Sequence, residues 1–168
     1  MSTMVSGRAE TAPSRQHLAG KYVTFFLENE EYGLPILAVR EIIGLVPITS
    51  VPQTPPYIRG IINLRGQVIP VVDLRLKFGM PPGEETRESC IIVVRVHNVD
   101  TGVIVDRMSE VTDVEEENIE EAPQMGGEVD TSFILGIDKS DDRVRLLLDL
   151  EKVLAPGVLK AVHENAAA

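Results

Sequence analysis

A chain of 168 residues and 18.4 kDa has room for one ordinary domain or two very small ones, which excludes a large multidomain enzyme. With 43% hydrophobic and 25% charged residues it is too apolar for wholesale disorder, yet its apolar runs fall far short of the roughly 20 residues that cross a bilayer. A net charge of -10 argues against broad nucleic-acid binding, which needs a basic surface, and a lone cysteine excludes a disulfide framework or a thiolate metal cluster.

Residues 1–20 mix Arg8, Glu10, Pro13, Arg15 and His17 with small polar residues and lack the apolar core of a secretory signal, so they read as a flexible tail on a cytoplasmic protein. Short segments rich in Val, Ile and Phe then recur between Gly, Pro and Asn turns, the pattern of a mainly β protein. Strands are expected near Tyr22–Leu27, Tyr32–Ile36, Gly60–Leu64, Gln67–Val72, Ser89–Val96, Gly102–Val105, Glu110–Val114, Phe133–Asp138 and Arg143–Leu148. Pro70 cannot donate to a sheet ladder, so it suggests a bulge or an edge strand. Two helical turns, Asp73–Phe78 and Asp149–Leu154, each open on an aspartate suited to an N-cap. Residues 156–168 read as a second tail, frayed or a short helix.

The chain resembles itself. At an offset of 76, Ile58-Arg59-Gly60-Ile61 meets Ile134-Leu135-Gly136-Ile137, and Val68 to Leu74 meets Val144 to Leu150. At an offset of 69, Gly33-Leu34 meets Gly102-Val103, and Glu41-Ile42 meets Glu110-Val111. Ordered matches imply pseudo-repeats at about 21–79 and 89–155 within one domain, 21–155. Neither repeat is large enough to bury much alone, so the two should share a hydrophobic interface.

Catalytic patterns are missing. His17, His97 and His163 are scattered, no G-x-S-x-G elbow or phosphate loop occurs, and Cys90 sits in an apolar strand pattern where a packed thiol is expected. The run from Glu110 to Glu121 lacks calcium-loop spacing and reads as a solvated or docking face. By contrast Arg59, Arg65, Arg75 and Lys77 make residues 59–77 basic, and such segregated charge can orient protein partners.

The most informative segment turns at Leu64-Arg65-Gly66-Gln67, where Gly66 can take a positive φ and leave Arg65 at the hairpin tip. A turn arginine is ordinarily solvated or held in a local salt bridge. The segment Gly60 to Arg75, with Glu31-Tyr32-Gly33-Leu34 and Ile36 to Ile42 upstream, resembles the CheW-type coupling proteins of bacterial chemotaxis over about residues 21–155. The resemblance implies two intertwined five-stranded SH3-like barrels with short helices, no catalysis and no cofactor. It implies an adaptor that links the cytoplasmic hairpin tips of chemoreceptors to the regulatory domain of the histidine kinase CheA, recruited to membrane-associated receptor arrays.

Carried over position by position, the family's receptor-binding groove falls on Ile36, Val39, Glu41, Ile42, Gly60, Arg65 and Val111. On the residues alone the apolar members would be core, with Ile42 and Val111, matched repeat positions, packed together across the seam. A second kinase-facing surface falls near Glu120 and Met125, where the family pattern has a basic residue and an aromatic. The departure implies either a lost contact or a charge-swapped partner. Two alternatives accompany this reading: a coupling protein of a parallel chemosensory pathway, and a small-ligand β-barrel enzyme, which would need convergent titratable residues in a cleft.

Overall fold

The computed structural model describes residues 18–122 and 132–154; Met125 and most of the two expected tails lie outside them. The described chain is mainly β. Its strands are β1 (Gly20–Leu27), β2 (Glu30–Pro35), β3 (Val39–Gly44), β4 (Ile58–Leu64), β5 (Gln67–Asp73), β6 (Cys90–Val96), β7 (Val99–Val105), β8 (Arg107–Val114), β9 (Ile119–Glu120), β10 (Ile134–Asp138) and β11 (Arg145–Leu148). Two one-turn helices, α1 (Leu74–Lys77) and α2 (Leu150–Val153), follow β5 and β11. Asp73 and Asp149 cap them by accepting from the backbone N–H groups of Leu76 and Glu151.

The strands form two sheets, ordered β8-β1-β2-β11-β10-β9 and β3-β6-β7-β5-β4. Each sheet takes strands from both pseudo-repeats. Parallel pairs make the exchange: β2 lies against β11 (Gly33 opposite Leu147) and β7 against β5 (Gly102 opposite Val71). The hairpins also match, since register shifts once between Ile58 and Gly60 in β4 and once between Ile134 and Gly136 in β10.

Three apolar clusters follow from this interchange. The largest joins Phe25, Leu34, Ile92, Val103, Leu148 and Leu150, drawn from both sheets, and is the shared core. Ile62, Ile69, Val71, Ile91, Val93 and Ile104 cluster on the second sheet, and Tyr22, Val114, Ile119 and Leu147 on the first.

Several sequence expectations need correction. The first sheet has six strands rather than five, because the two-residue β9 extends it beyond β10. Strand β3 was not expected; its Val-Arg-Glu-Ile-Ile-Gly stretch is half exposed and never becomes an apolar run. Ile36 leaves the strand for a 3-10 turn after Pro35. Pro70 lies in the interior strand β5, where it is tolerated because pairing with β7 starts only at Val71.

Candidate docking site

Strand β3 is the edge of the second sheet and pairs only with β6. Val39 faces Val94 and Glu41 faces Val93, so Arg40 is one extra residue, a β-bulge that re-aims the side chains around it. Opposite Glu41, the β4–β5 hairpin reverses through Arg65 (φ 53°) and Gly66 (φ 84°), the two positive values that a tight two-residue hairpin requires. Asn63 Oδ1 accepts from the Gly66 N–H at 2.8 Å and fixes this turn. Arg65 then donates to the Glu41 carboxylate, which raises the arginine pKa above its ordinary value.

The turn arginine is therefore both salt-bridged and 72% exposed. An exposed pair adds little to stability, so its consequence is geometric: it ties the hairpin tip to the edge strand. Val39, Glu41 and Arg65 line one cavity of about 610 Å³, with Arg40, Gln67 and Asp100 as its other polar walls. Three residues expected to act together are thus brought together.

The other expected residues do not line this cavity. Ile42 is 45% and Val111 57% exposed, so neither is core. Each lies on an edge strand, β3 or β8, just after a register shift that disturbs the in-out alternation. Ile36 is half-buried beside Leu37, which is 96% exposed, and both border a separate apolar cavity of about 300 Å³. Gly60 is buried, with φ at 144°, and a Cβ there would stand 2.0 Å from the Thr49 carbonyl oxygen. It lets Thr49 and Ile61 exchange backbone hydrogen bonds at 2.9 and 2.8 Å, so it shapes the backbone behind the site. Glu120, on β9, accepts from Lys139 at 2.9 Å, and Met125 is outside the described residues.

One polar cluster escaped the sequence reading. Arg145 on β11 is fully buried and donates to Glu31 at 3.0 Å, Asp138 at 3.0 Å and Glu110 at 2.9 Å. Arg143 adds a second bond to Glu31 at 2.5 Å. Burial pushes the Glu31 carboxyl up, but hydrogen bonds from Arg145, Thr24 and Ser109 outweigh it and hold the group below its ordinary value. Burial, with help from Asp138, pushes the Tyr22 hydroxyl up to about 12. The available signal was Arg145 itself, a charge inside an apolar strand where the matched repeat has Ile69. Glu110 therefore belongs to this cluster as well as to the acidic run. Cys90 is buried, and burial pushes its thiol up, as expected of a packed side chain.

Comparison with known proteins places this geometry. Residues 21–156 match the family described as CheW-like domain. The chain is 35% identical over 146 residues to the chemotaxis protein CheW of Klebsiella aerogenes, covering 87% of this chain and 88% of that protein. It is 38% identical over 135 residues to CheW of Bacillus subtilis, covering 80% and 86% respectively. The crystal structure of the scaffolding protein TtCheW from Thermoanaerobacter tengcongensis superposes with a TM-score of 0.75 at 40% identity, over 82% of this chain and 94% of that one. With the family matched across all the described strands from β1 to β11, the chain belongs to the CheW family of chemotaxis proteins and is a non-enzymatic adaptor.

Proposed function

We propose that this chain couples chemoreceptors to the histidine kinase CheA, receiving the receptors' cytoplasmic hairpin tips at the β3 edge and the β4–β5 hairpin and presenting another edge to the kinase. The observation that carries the reading is the family match over residues 21–156, joined to apolar side chains left exposed at matched edge positions, Ile42 and Val111. An exposed branched side chain next to a rigid polar rim, as Ile42 is to Glu41 on β3, suits an amphipathic helix better than a small substrate. Glu41 and Arg65 orient the helix through their fixed pair, Val39 and Ile36 add apolar contact, and Gly60 keeps the backbone close behind. The second kinase-facing contact, assigned to Glu120 and Met125 by family position alone, is either lost in this chain or takes a partner of swapped charge. Recruitment to membrane-associated receptor arrays through these partners is part of the same proposal, and no helix among the described residues is long and apolar enough to cross a membrane.

Co-sedimentation of the chain with receptor and kinase tests this. Arg65→Ala is expected to leave thermal unfolding unchanged and to lower recovery of the ternary assembly. Val39→Asp, checked for folding by circular dichroism because Val39 packs on the core, should abolish recovery. Unaltered recovery with both variants overturns the docking assignment.

A further inference from the structure

The two edge strands carry matched bulges with different occupants. In β3 the extra residue is Arg40, between Val39 and Glu41. In β8 the register against β1 shifts between Val23 and Phe25, which face Val111 and Met108, and the residue matched to Arg40 is Ser109. Ser109 is satisfied internally, since its side chain bonds the buried Glu31. Arg40 is exposed and has no hydrogen bond or ion pair among the described residues.

The charges around the cavity sharpen the contrast. Glu41 is taken by Arg65, and Asp100 accepts from Arg95 at 2.9 Å. Arg40 is left as the uncompensated charge in the cavity wall, a cation on a chain of net charge -10. A guanidinium presented on a bulge at the mouth of a cavity is suited to a carboxylate, which it can hold through two parallel N–H donors.

Resting on the docking reading above, we infer that Arg40 is a specificity-determining contact of the β3 cavity, and that the receptor hairpin docked there places an acidic side chain against it. The Glu41–Arg65 pair, being closed on itself, sets the shape of the rim, and Arg40 supplies the charge selection.

The test measures association of the full-length chain with a cytoplasmic hairpin fragment of a chemoreceptor from the same organism, at several salt concentrations. Arg40→Gln should weaken binding about tenfold, the scale of one charged hydrogen bond, and should flatten the salt dependence. Arg40→Glu should weaken it further, and Arg40→Lys should fall between parent and Arg40→Gln. Thermal unfolding should stay unchanged in all three, because Arg40 is exposed and makes no hydrogen bond or ion pair among the described residues. Parent-like affinity and salt dependence in Arg40→Gln, while Arg65→Ala or Val39→Asp still weakens binding, overturns this inference alone. If Arg65→Ala and Val39→Asp also bind like the parent, the docking reading fails and the inference falls with it. A loss seen toward the kinase regulatory domain but not toward the receptor fragment overturns it as well.

Discussion

The two sheets use one backbone plan with opposite chemistry. On the second sheet, β4 and β5 bring Ile62 and Ile69 into a cluster whose buried members are all Ile or Val. At the matched positions the first sheet has Asp138 and Arg145, both fully buried, in a five-member ionic cluster with Glu31, Glu110 and Arg143. The hairpin tips differ too: Arg65-Gly66 on one, Asp141-Asp142 on the other, with positive φ at all four. Strand register thus tolerates a dry or an ionic interior, provided every buried charge meets an opposite one. The ionic version is no stronger, because desolvation offsets most of the Coulomb attraction, but it is far less tolerant of losing one member.

The comparison can be broken most severely at Arg145. Arg145→Ala leaves Glu31 and Asp138 buried without their main partner and should destabilise the fold by about 3–5 kcal/mol in denaturant titration. The double exchange Asp138→Ile with Arg145→Ile, which copies the second sheet, should recover most of that loss, Glu31 keeping its bond to Arg143. Recovery of none of it would mean the ionic interior cannot be exchanged for the apolar one.

A smaller effect separates the matched bulge glycines. Gly60→Ala would force a Cβ to 2.0 Å from the Thr49 oxygen at a φ of 144°, and should cost about 3 kcal/mol. Gly136→Ala carries no positive φ and meets the Ile119 Cγ2 methyl at 2.9 Å and the Glu120 carbonyl oxygen at 3.2 Å, a milder clash that should cost about 1–2 kcal/mol. Equal melting temperatures for the two variants would refute the distinction.

Acid should act on the ionic sheet. Folding lowers the Glu31 pKa, so the folded state binds fewer protons there than the unfolded chain. The resulting stability is complete above the ordinary carboxyl value and is lost as pH falls through the lower, folded value. Glu31→Gln should reduce this acid slope in unfolding measured across that range, whereas a charge change on the second sheet, such as Asp100→Asn, should leave the Glu31 contribution in place. Arg65→Ala is the mildest change: unfolding by heat should not move, and only partner recovery should fall.

How much of this was readable beforehand varies by residue. The capped turns after β5 and β11 were legible because an aspartate N-cap is a local signal. The matched hairpins were legible because the repeat preserves their spacing. Strand β3 was not, since an edge strand exposed on alternate residues lacks the apolar density that marks a buried one. Burial of Arg145 was not either, because two of its three carboxylates, Glu31 and Glu110, come from strands distant in sequence and only Asp138 lies on the neighbouring hairpin strand.

Of the site, the family motif brought Val39, Glu41 and Arg65 to notice, and those three do share a cavity. Exposure of Ile42 and Val111 could not be read from their types, since the same side chains would serve a core equally well.

The order of residues alone determined a mainly β chain, its internal duplication, its hairpin tips and its helix caps, because each depends on neighbours within a few positions or on a repeating pattern. Only the tertiary structure decided which strands became edges, which charges were buried and that Arg40, among the charged residues described in its cavity wall, has no ion pair. Those outcomes depend on β2 crossing to β11 and β5 to β7, pairings between distant segments that no local propensity encodes.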